Sequence, residues 1–332
     1  MFRAFFLDRR WWPWSLLGSA LILAANWYQV ELDVQINDWF GSFYNLVQKA
    51  LSKPNAVSFD EFMAHLVTFG RIAGVYVLIA VMVDFFTKHF VFRWRTAMND
   101  YYMRHWHLVR HIEGASQRVQ EDTMRFARIV ENLGVSFMRS LLTLIAFLPI
   151  LWTLSAQVKE LPWIGAVDHA LVYVAVLMAL FGTVLLATVG LKLPGLEFNN
   201  QLVEAAYRKE LVYGEDQSER ADALTVKSLF DNVRTNYFRL FFHYLYFDVA
   251  KWSYLQFGVL VPYIALGPTI VAGALTLGAM QQIVRAFNRV ENSFQYLVNS
   301  WSTIVELISV YKRLSAFEAQ IRQARAAQVT PV

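Results

Sequence analysis

At 332 residues the chain is 56% hydrophobic and only 17% charged, against roughly 25% charged for a soluble domain, which excludes an ordinary water-soluble globule. The absence of cysteine excludes disulfides and thiolate metal sites. The net charge of +4 is distributed by segment rather than gathered into a patch, which argues against nucleic-acid binding.

A helix that crosses a bilayer needs about 20 mostly apolar residues, because 1.5 Å per residue must cover roughly 30 Å of hydrocarbon. The first such run is Trp11–Val30, 20 residues without a charge. It follows Met1-Phe2-Arg3 and opens on Trp11 and Trp12 with no small-residue cleavage site behind it. It therefore reads as a retained span with interfacial tryptophans and not as a signal peptide. Beyond it, Glu31-Leu32-Asp33-Val34 and Asn37-Asp38-Trp39-Phe40 form an amphipathic exit, and Lys53-Pro54-Asn55 a turn. Asp60-Glu61 suits the start of the next helix. Phe69–Phe92 is apolar apart from Arg71, Asp84 and Lys88 near its ends. Phe92–Arg139 holds few helix breakers, so the helices on either side are expected to extend beyond the membrane.

Ser140–Val158 and Ala170–Leu191 are charge-free runs of 19 and 22 residues, and Lys192–Tyr213 keeps helical spacing after them. A polar, acidic break is expected at Gly214–Glu219. Trp252–Val284 holds 33 residues without a charge. That is too long for one span, and Gly267-Pro268 near its middle is the expected hairpin. The resulting expectation is an all-α polytopic membrane protein with six transmembrane helices and long cytoplasmic extensions. A single transporter domain covers 11–318, with spans near 11–30, 69–92, 138–158, 170–191, 248–266 and 269–290. A polar, Ala-rich tail over 319–332 is expected to fray.

Lysine and arginine set the orientation. Three precede the first span, nine lie from Lys88 to Arg139, eight from Lys192 to Lys251 and four after the last span. The opposite segments hold only Lys49, Lys53 and Lys159. By the positive-inside rule both termini are cytoplasmic.

The candidate chemistry is carboxylate chemistry. Glu197, Glu204 and Glu215 are 7 and 11 residues apart. At 100° per residue these steps bring all three to within about 20° of one another on a helix, in a file roughly 27 Å long. In a wet cavity such a file can pass protons, since desolvation and like-charged neighbours raise carboxyl pKa values. The same spacing fits a solvated helix face, with Glu204 and Arg208 in the favourable order for an ion pair. Spacing alone leaves both readings open.

Glu121 shares a face with Arg125 and Arg128, while Glu131 is the last acid before an apolar run, where a charge needs protein or water around it. Arg285, Arg289, Glu291 and Glu306 make the last span the most polar, consistent with a cavity lining or with mutual ion pairs. Ala274 and Gly278 are a weak helix-contact signal. His107 and His111 have metal-ligand spacing but no third ligand. No G-x-x-x-x-G-K-[ST] loop and no convincing nucleophile triad occur, so neither a nucleotide, a metal, a cofactor nor catalysis is expected.

Longer strings carry a resemblance. His89-Phe-Val-Phe-Arg-Trp-Arg-Thr-Ala-Met-Asn, Lys192-Leu-Pro-Gly-Leu-Glu-Phe, Val203-Glu-Ala-Ala-Tyr-Arg-Lys-Glu-Leu-Val-Tyr-Gly-Glu-Asp and Phe294-Gln-Tyr-Leu-Val-Asn-Ser-Trp resemble the SbmA/BacA peptide transporters, as does the stretch His111–Phe126. The match runs from about Trp12 to Phe317. The resemblance implies a homodimer with the membrane domain of an ABC exporter but no nucleotide-binding domain. It implies a place in the bacterial inner membrane among its lipids, and proton-gradient-driven import of peptides and modified peptide antibiotics. It implies a file of functional glutamates at Glu131, Glu204 and Glu215, with Glu31, Glu121, Glu197 and Glu210 as further members. Family members usually carry more hydrophobic sequence before the segment matching Trp12. Two other readings stay open: the membrane subunit of an ABC exporter with a separate ATPase chain, and a non-transporting envelope protein.

Overall fold

The structure, a computed structural model, describes residues 1–329 except Glu113, Lys159 and Ser218. Side chains at Gln201, Asp216, 297–299, 301–302, 305 and 327–329 are also outside the description. Lys159, one of the residues used to orient the chain, and the last three residues of the expected tail therefore lie outside the described residues. The chain divides into two compact units: Met1–Ala175 with Ala265–Val332, and Val176–Ile264.

The first unit begins with α1 (Phe2–Phe6), a 3-10 turn over Arg9–Trp11 and a π-helical turn over Pro13–Leu17. The Asp8 carboxylate accepts from the Arg10 amide and so caps the 3-10 turn. The long α2 (Gly18–Ser52) follows and ends where Lys53 turns extended and Asn55 takes φ +56°. Ser58 caps α3 (Phe59–Arg104) by accepting from the Glu61 amide at 3.1 Å, and Asp60 and Glu61 add favourable charge to its first turn. The short helices α4 (Trp106–Val109) and α5 (Ala115–Gln117), with a π-helical turn over Arg118–Asp122, lead into α6 (Thr123–Ser155). A two-residue antiparallel pair, β1 (Glu160–Leu161) with β2 (Gly165–Ala166), joins α6 to α7 (Ala170–Gly190).

The apolar core of this unit gathers mainly at the helix ends, with Ile22, Phe90 and Val91 joining it from the expected membrane runs. Phe5, Trp94, Met98, Tyr102, Phe126, Leu314 and Phe317 all pack there, buried. Phe5 stacks on Trp94 at 5.7 Å between ring centroids, and Phe126 meets Trp94 edge-on at 5.5 Å. Aromatic side chains of this size account for much of the burial that holds α1, α3, α6 and α11 (Trp301–Val329) together. α11 continues through the Ala-rich segment expected to fray, consistent with its content of strong helix formers.

The second unit contains the C-terminal part of α7, all of α8 (Leu193–Asp216) and most of α9 (Ala223–Val271). Pro194 stands in the first turn of α8, where its missing N–H costs nothing. α8 runs on through Gly214 to Asp216, so the break after it comes later than expected. Asp222 then caps α9 by accepting from the amides of Leu224 and Thr225 at 3.2 Å.

The hairpin expected at Gly267-Pro268 lies instead at 272–276. α9 passes through both residues to Val271, and α10 (Leu277–Asn299) starts after Thr276. Pro268 removes a single hydrogen bond near the end of α9, which a helix tolerates there. What stops the helix is Gly273 at φ +66°. The Gly273 amide donates to the Ile270 carbonyl and the Ala274 amide to the Thr269 carbonyl, the paired bonds that close a helix around a left-handed glycine.

Among the described residues, four helical stretches are long and apolar enough to cross a membrane: Phe59–Arg104, Ala115–Ser155, Ala170–Gly190 and Ala223–Val271. The described residues thus form an all-α membrane protein. The expected first and last spans fall on α2 and α10, whose polar faces keep them out of that set.

Candidate functional site

Glu197, Glu204 and Glu215 all stand on α8, one uninterrupted helix, so their spacing places them on one face. Glu197 is half-buried and accepts a hydrogen bond from the Tyr244 hydroxyl of α9 at 2.7 Å. Glu204 is half-buried, and the ion pair with Arg208 that its spacing allows is not formed. Glu215 is exposed near the end of the helix. Glu210, 13 residues beyond Glu197, points about 140° away from that face. It accepts from Arg220 at 2.7 Å and from the Ala221 amide at 3.2 Å, and thereby ties down the turn after α8.

The other candidate glutamates belong to the first unit and are not gathered into one cluster. Glu31 is exposed on α2. Glu121 pairs with Arg125 at 2.8 Å, as the spacing suggested, and also accepts from Gln117 at 3.0 Å. Arg125 lies 3.8 Å from Glu306 as well. Glu131 is half-buried on α6, and Lys88 of α3, ion-paired with Asp84 at 2.7 Å, lies within electrostatic reach of it.

Two buried aspartates escaped the sequence reading. Asp122, 2% exposed, accepts from Arg118 at 2.7 Å and takes a forked pair of bonds from Arg313, the shortest at 2.7 Å. The carboxylate raises the Arg313 guanidinium further above its usual range, through the hydrogen bond and then through charge. Asp33, 6% exposed, accepts from both Arg285 and Arg289 of α10 through one oxygen, each at 2.7 Å. A signal for Asp33 was available. Asn26, Gln29, Asp33 and Asn37 recur at helical spacing and form a buried polar stripe along α2. Arg139 of α6 donates to Gln29 at 2.7 Å on the same stripe. Asp122 had only the i,i+4 arginine at Arg118 as a cue.

α2 and α10 cross where both backbones are bare. A Cβ at Gly278 would collide with the Gly41 carbonyl oxygen, so only glycine permits the approach. Asn45 and Gln48 of α2 accept from the first amides of α10, Gly278 and Leu277, at 3.1 and 2.8 Å. Ala274, the other half of the expected contact pair, lies in the turn before α10. Among the described residues no group of three His, Asp or Glu side chains could hold a metal. His107 on α4 and His111 beyond its end are both exposed, and no single helix carries the two.

Comparison with known proteins places this geometry. A profile of the SbmA/BacA-like family matches residues 8–322, and the chain belongs to that family. It is 28% identical over 333 residues to the inner membrane ABC transporter ATP-binding protein YddA of Escherichia coli (strain K12), covering 93% of this chain and 58% of that protein. It is 25% identical to an uncharacterized ABC transporter ATP-binding protein of Synechocystis, over 94% of this chain and 47% of that one. Against the chloroplastic ABC transporter D family member 2 of Arabidopsis thaliana the identity is 23%, over 90% and 41%. The chain spans about half the length of these relatives.

Proposed function

We propose that this member of the SbmA/BacA-like family imports peptides and modified peptide antibiotics across the bacterial inner membrane as a homodimer driven by the proton gradient. The observation that carries the reading is the α8 face, on which Glu204 and Glu215 stand with no ion-pair partner among the described residues. Each elementary charge moved down the potential supplies about 2.3 kcal/mol per 100 mV, enough to drive uptake. Phe238, Phe241, Phe242, Leu245, Val249 and Trp252 leave an apolar stripe of α9 exposed, suited to lipid or to a second copy of the chain.

In this reading α2 and α10 complete six spans, with both termini cytoplasmic. Part of the charge that disqualifies them by composition is paired inside the unit, since Asp33 accepts from both Arg285 and Arg289. A reporter fused after Val332 is expected on the cytoplasmic side, and a label at Lys53 on the periplasmic side. A periplasmic reporter would reject the topology.

The names of the curated relatives favour a second reading, the membrane half of an ABC transporter working with an ATPase chain. Proteoliposome uptake separates the two. Import is expected from an imposed pH gradient without nucleotide and is expected to stop when the gradient collapses. Uptake that ignores the gradient and requires a co-purifying ATPase would favour the second reading.

A further inference from the structure

Beside the crossing of α2 and α10 lies an open cavity of about 330 Å³, lined chiefly by Phe40, Gln281, Arg285, Asn288, Arg289 and Asn292. Asp33 of α2 pairs with both of its arginines. The two guanidiniums share that one carboxylate, which leaves one net positive charge beside the opening. Each spends a single donor on Asp33, and Arg285 also lies over the Phe40 ring at 4.9 Å. The buried Nε of Arg285 has no acceptor. One turn along α2, Asn37 is fully buried with neither its amide nitrogen nor its amide oxygen partnered. Two guanidiniums on one carboxylate, with an unmatched buried donor on Arg285, leave the lining short of acceptors, and an entering anion supplies them.

The form of the anion follows from the donors. A guanidinium presents a planar fork that matches the two oxygens of a carboxylate. Asn288, Asn292 and Gln281 each offer both a donor and an acceptor, which suits backbone amides whatever side chains flank them. We propose that this cavity binds the C-terminal carboxylate of the transported peptide, Arg289 and Arg285 taking the carboxylate and the three amide side chains the adjoining main chain. The proposal rests on the peptide-import reading. It adds a rule to that reading: the free chain end is recognised, and the peptide's side chains are not.

The test uses the full chain in vesicles of phosphatidylethanolamine and phosphatidylglycerol under an imposed pH gradient. One peptide is offered with either a free C-terminal carboxylate or a C-terminal amide. The acid is expected to show a KM about tenfold lower, the scale of one charge-assisted contact. Arg289→Gln is expected to bring the ratio to about one, and Arg289→Lys, which keeps the charge but loses the fork, to leave an intermediate ratio. Arg208→Gln, remote in sequence on α8, is expected to keep the full preference. If Arg289→Gln fails to fold, Asn288→Leu leaves the Asp33 ion pairs intact and is expected to shrink the ratio. Equal uptake of acid and amide by the wild type, or a preference that survives Arg289→Gln, overturns the carboxylate site while import stands. Absence of gradient-driven uptake of either peptide overturns import, and the site with it. An Arg289-dependent response to exchanging phosphatidylglycerol for phosphatidylcholine, with no response to amidation, assigns the cavity to lipid phosphate and overturns the peptide assignment.

Discussion

In the first unit, Asp33 and Asp122 are almost sealed from solvent and each is held by two arginines from 2.7 Å. In the second, among the described residues, Glu204 and Glu215 on α8 have no ion-pair partner, and Glu197 accepts from the hydroxyl of Tyr244. At Asp122 the cost of burial is outweighed by the hydrogen bonds from Arg313 and Arg118, which hold the carboxyl below its ordinary range. The same chemical group thus stands in two settings, clamped between helices in the first unit and without such a clamp on α8 in the second.

The largest expected effect separates these roles. Glu204→Gln and Glu215→Gln keep the side-chain shape and remove the titrating proton. Each is expected to abolish uptake while membrane insertion, folding and dimer formation stay unchanged, and Glu131→Gln is expected to behave likewise. Glu219→Gln in the exposed turn is expected to transport normally, as is Glu318→Gln, which keeps an acceptor for the Tyr102 hydroxyl. The measurement is uptake normalised to inserted protein. Wild-type rates for both Glu204→Gln and Glu215→Gln would make α8 an ordinary solvated helix.

The locked acids should answer in stability. Asp122→Ala strands Arg118 and Arg313 and is expected to cost about 2–4 kcal/mol, reduced from the fully buried case because both guanidiniums retain some solvent. Thermal unfolding in detergent reads this directly, and an unchanged Tm would show that the fork is dispensable. Gly278→Ala forces a Cβ against the Gly41 carbonyl and is expected to cost about 1–3 kcal/mol by the same assay. The smallest effect is expected at Glu210. Its pair with Arg220 is half-exposed, so Glu210→Gln should cost no more than about 1 kcal/mol and leave uptake intact. Loss of transport there would extend the proton-carrying set off the α8 face and blur the contrast between the units.

Much of this was legible along the chain because it depends on local spacing. Long uncharged runs imply membrane helices wherever they occur, and residues 7 and 11 apart share a helix face whatever surrounds them. The α8 face was therefore readable from Glu197, Glu204 and Glu215 alone, and so was the start of α3 near Asp60-Glu61. The end of α9 was a closer contest between two local signals. Gly267-Pro268 looked the stronger, but a proline near a helix end sacrifices only one bond, while Gly273 can adopt the left-handed conformation that closes the helix.

Which acids are buried could not be read in this way. Glu31 and Asp33 lie two residues apart on α2, one exposed and the other nearly sealed. The difference arises from Arg285 and Arg289, more than 250 residues further along the chain. The same holds for Asp122, whose forked partner is Arg313 on α11. Periodicity tells which residues share a face, because backbone geometry repeats every 3.6 residues. It carries no information on what that face meets, since burial and charge pairing are set by helices brought together across the fold. For this protein the sequence determined the helices and the α8 glutamate face, and only the tertiary structure decided which carboxylates are clamped.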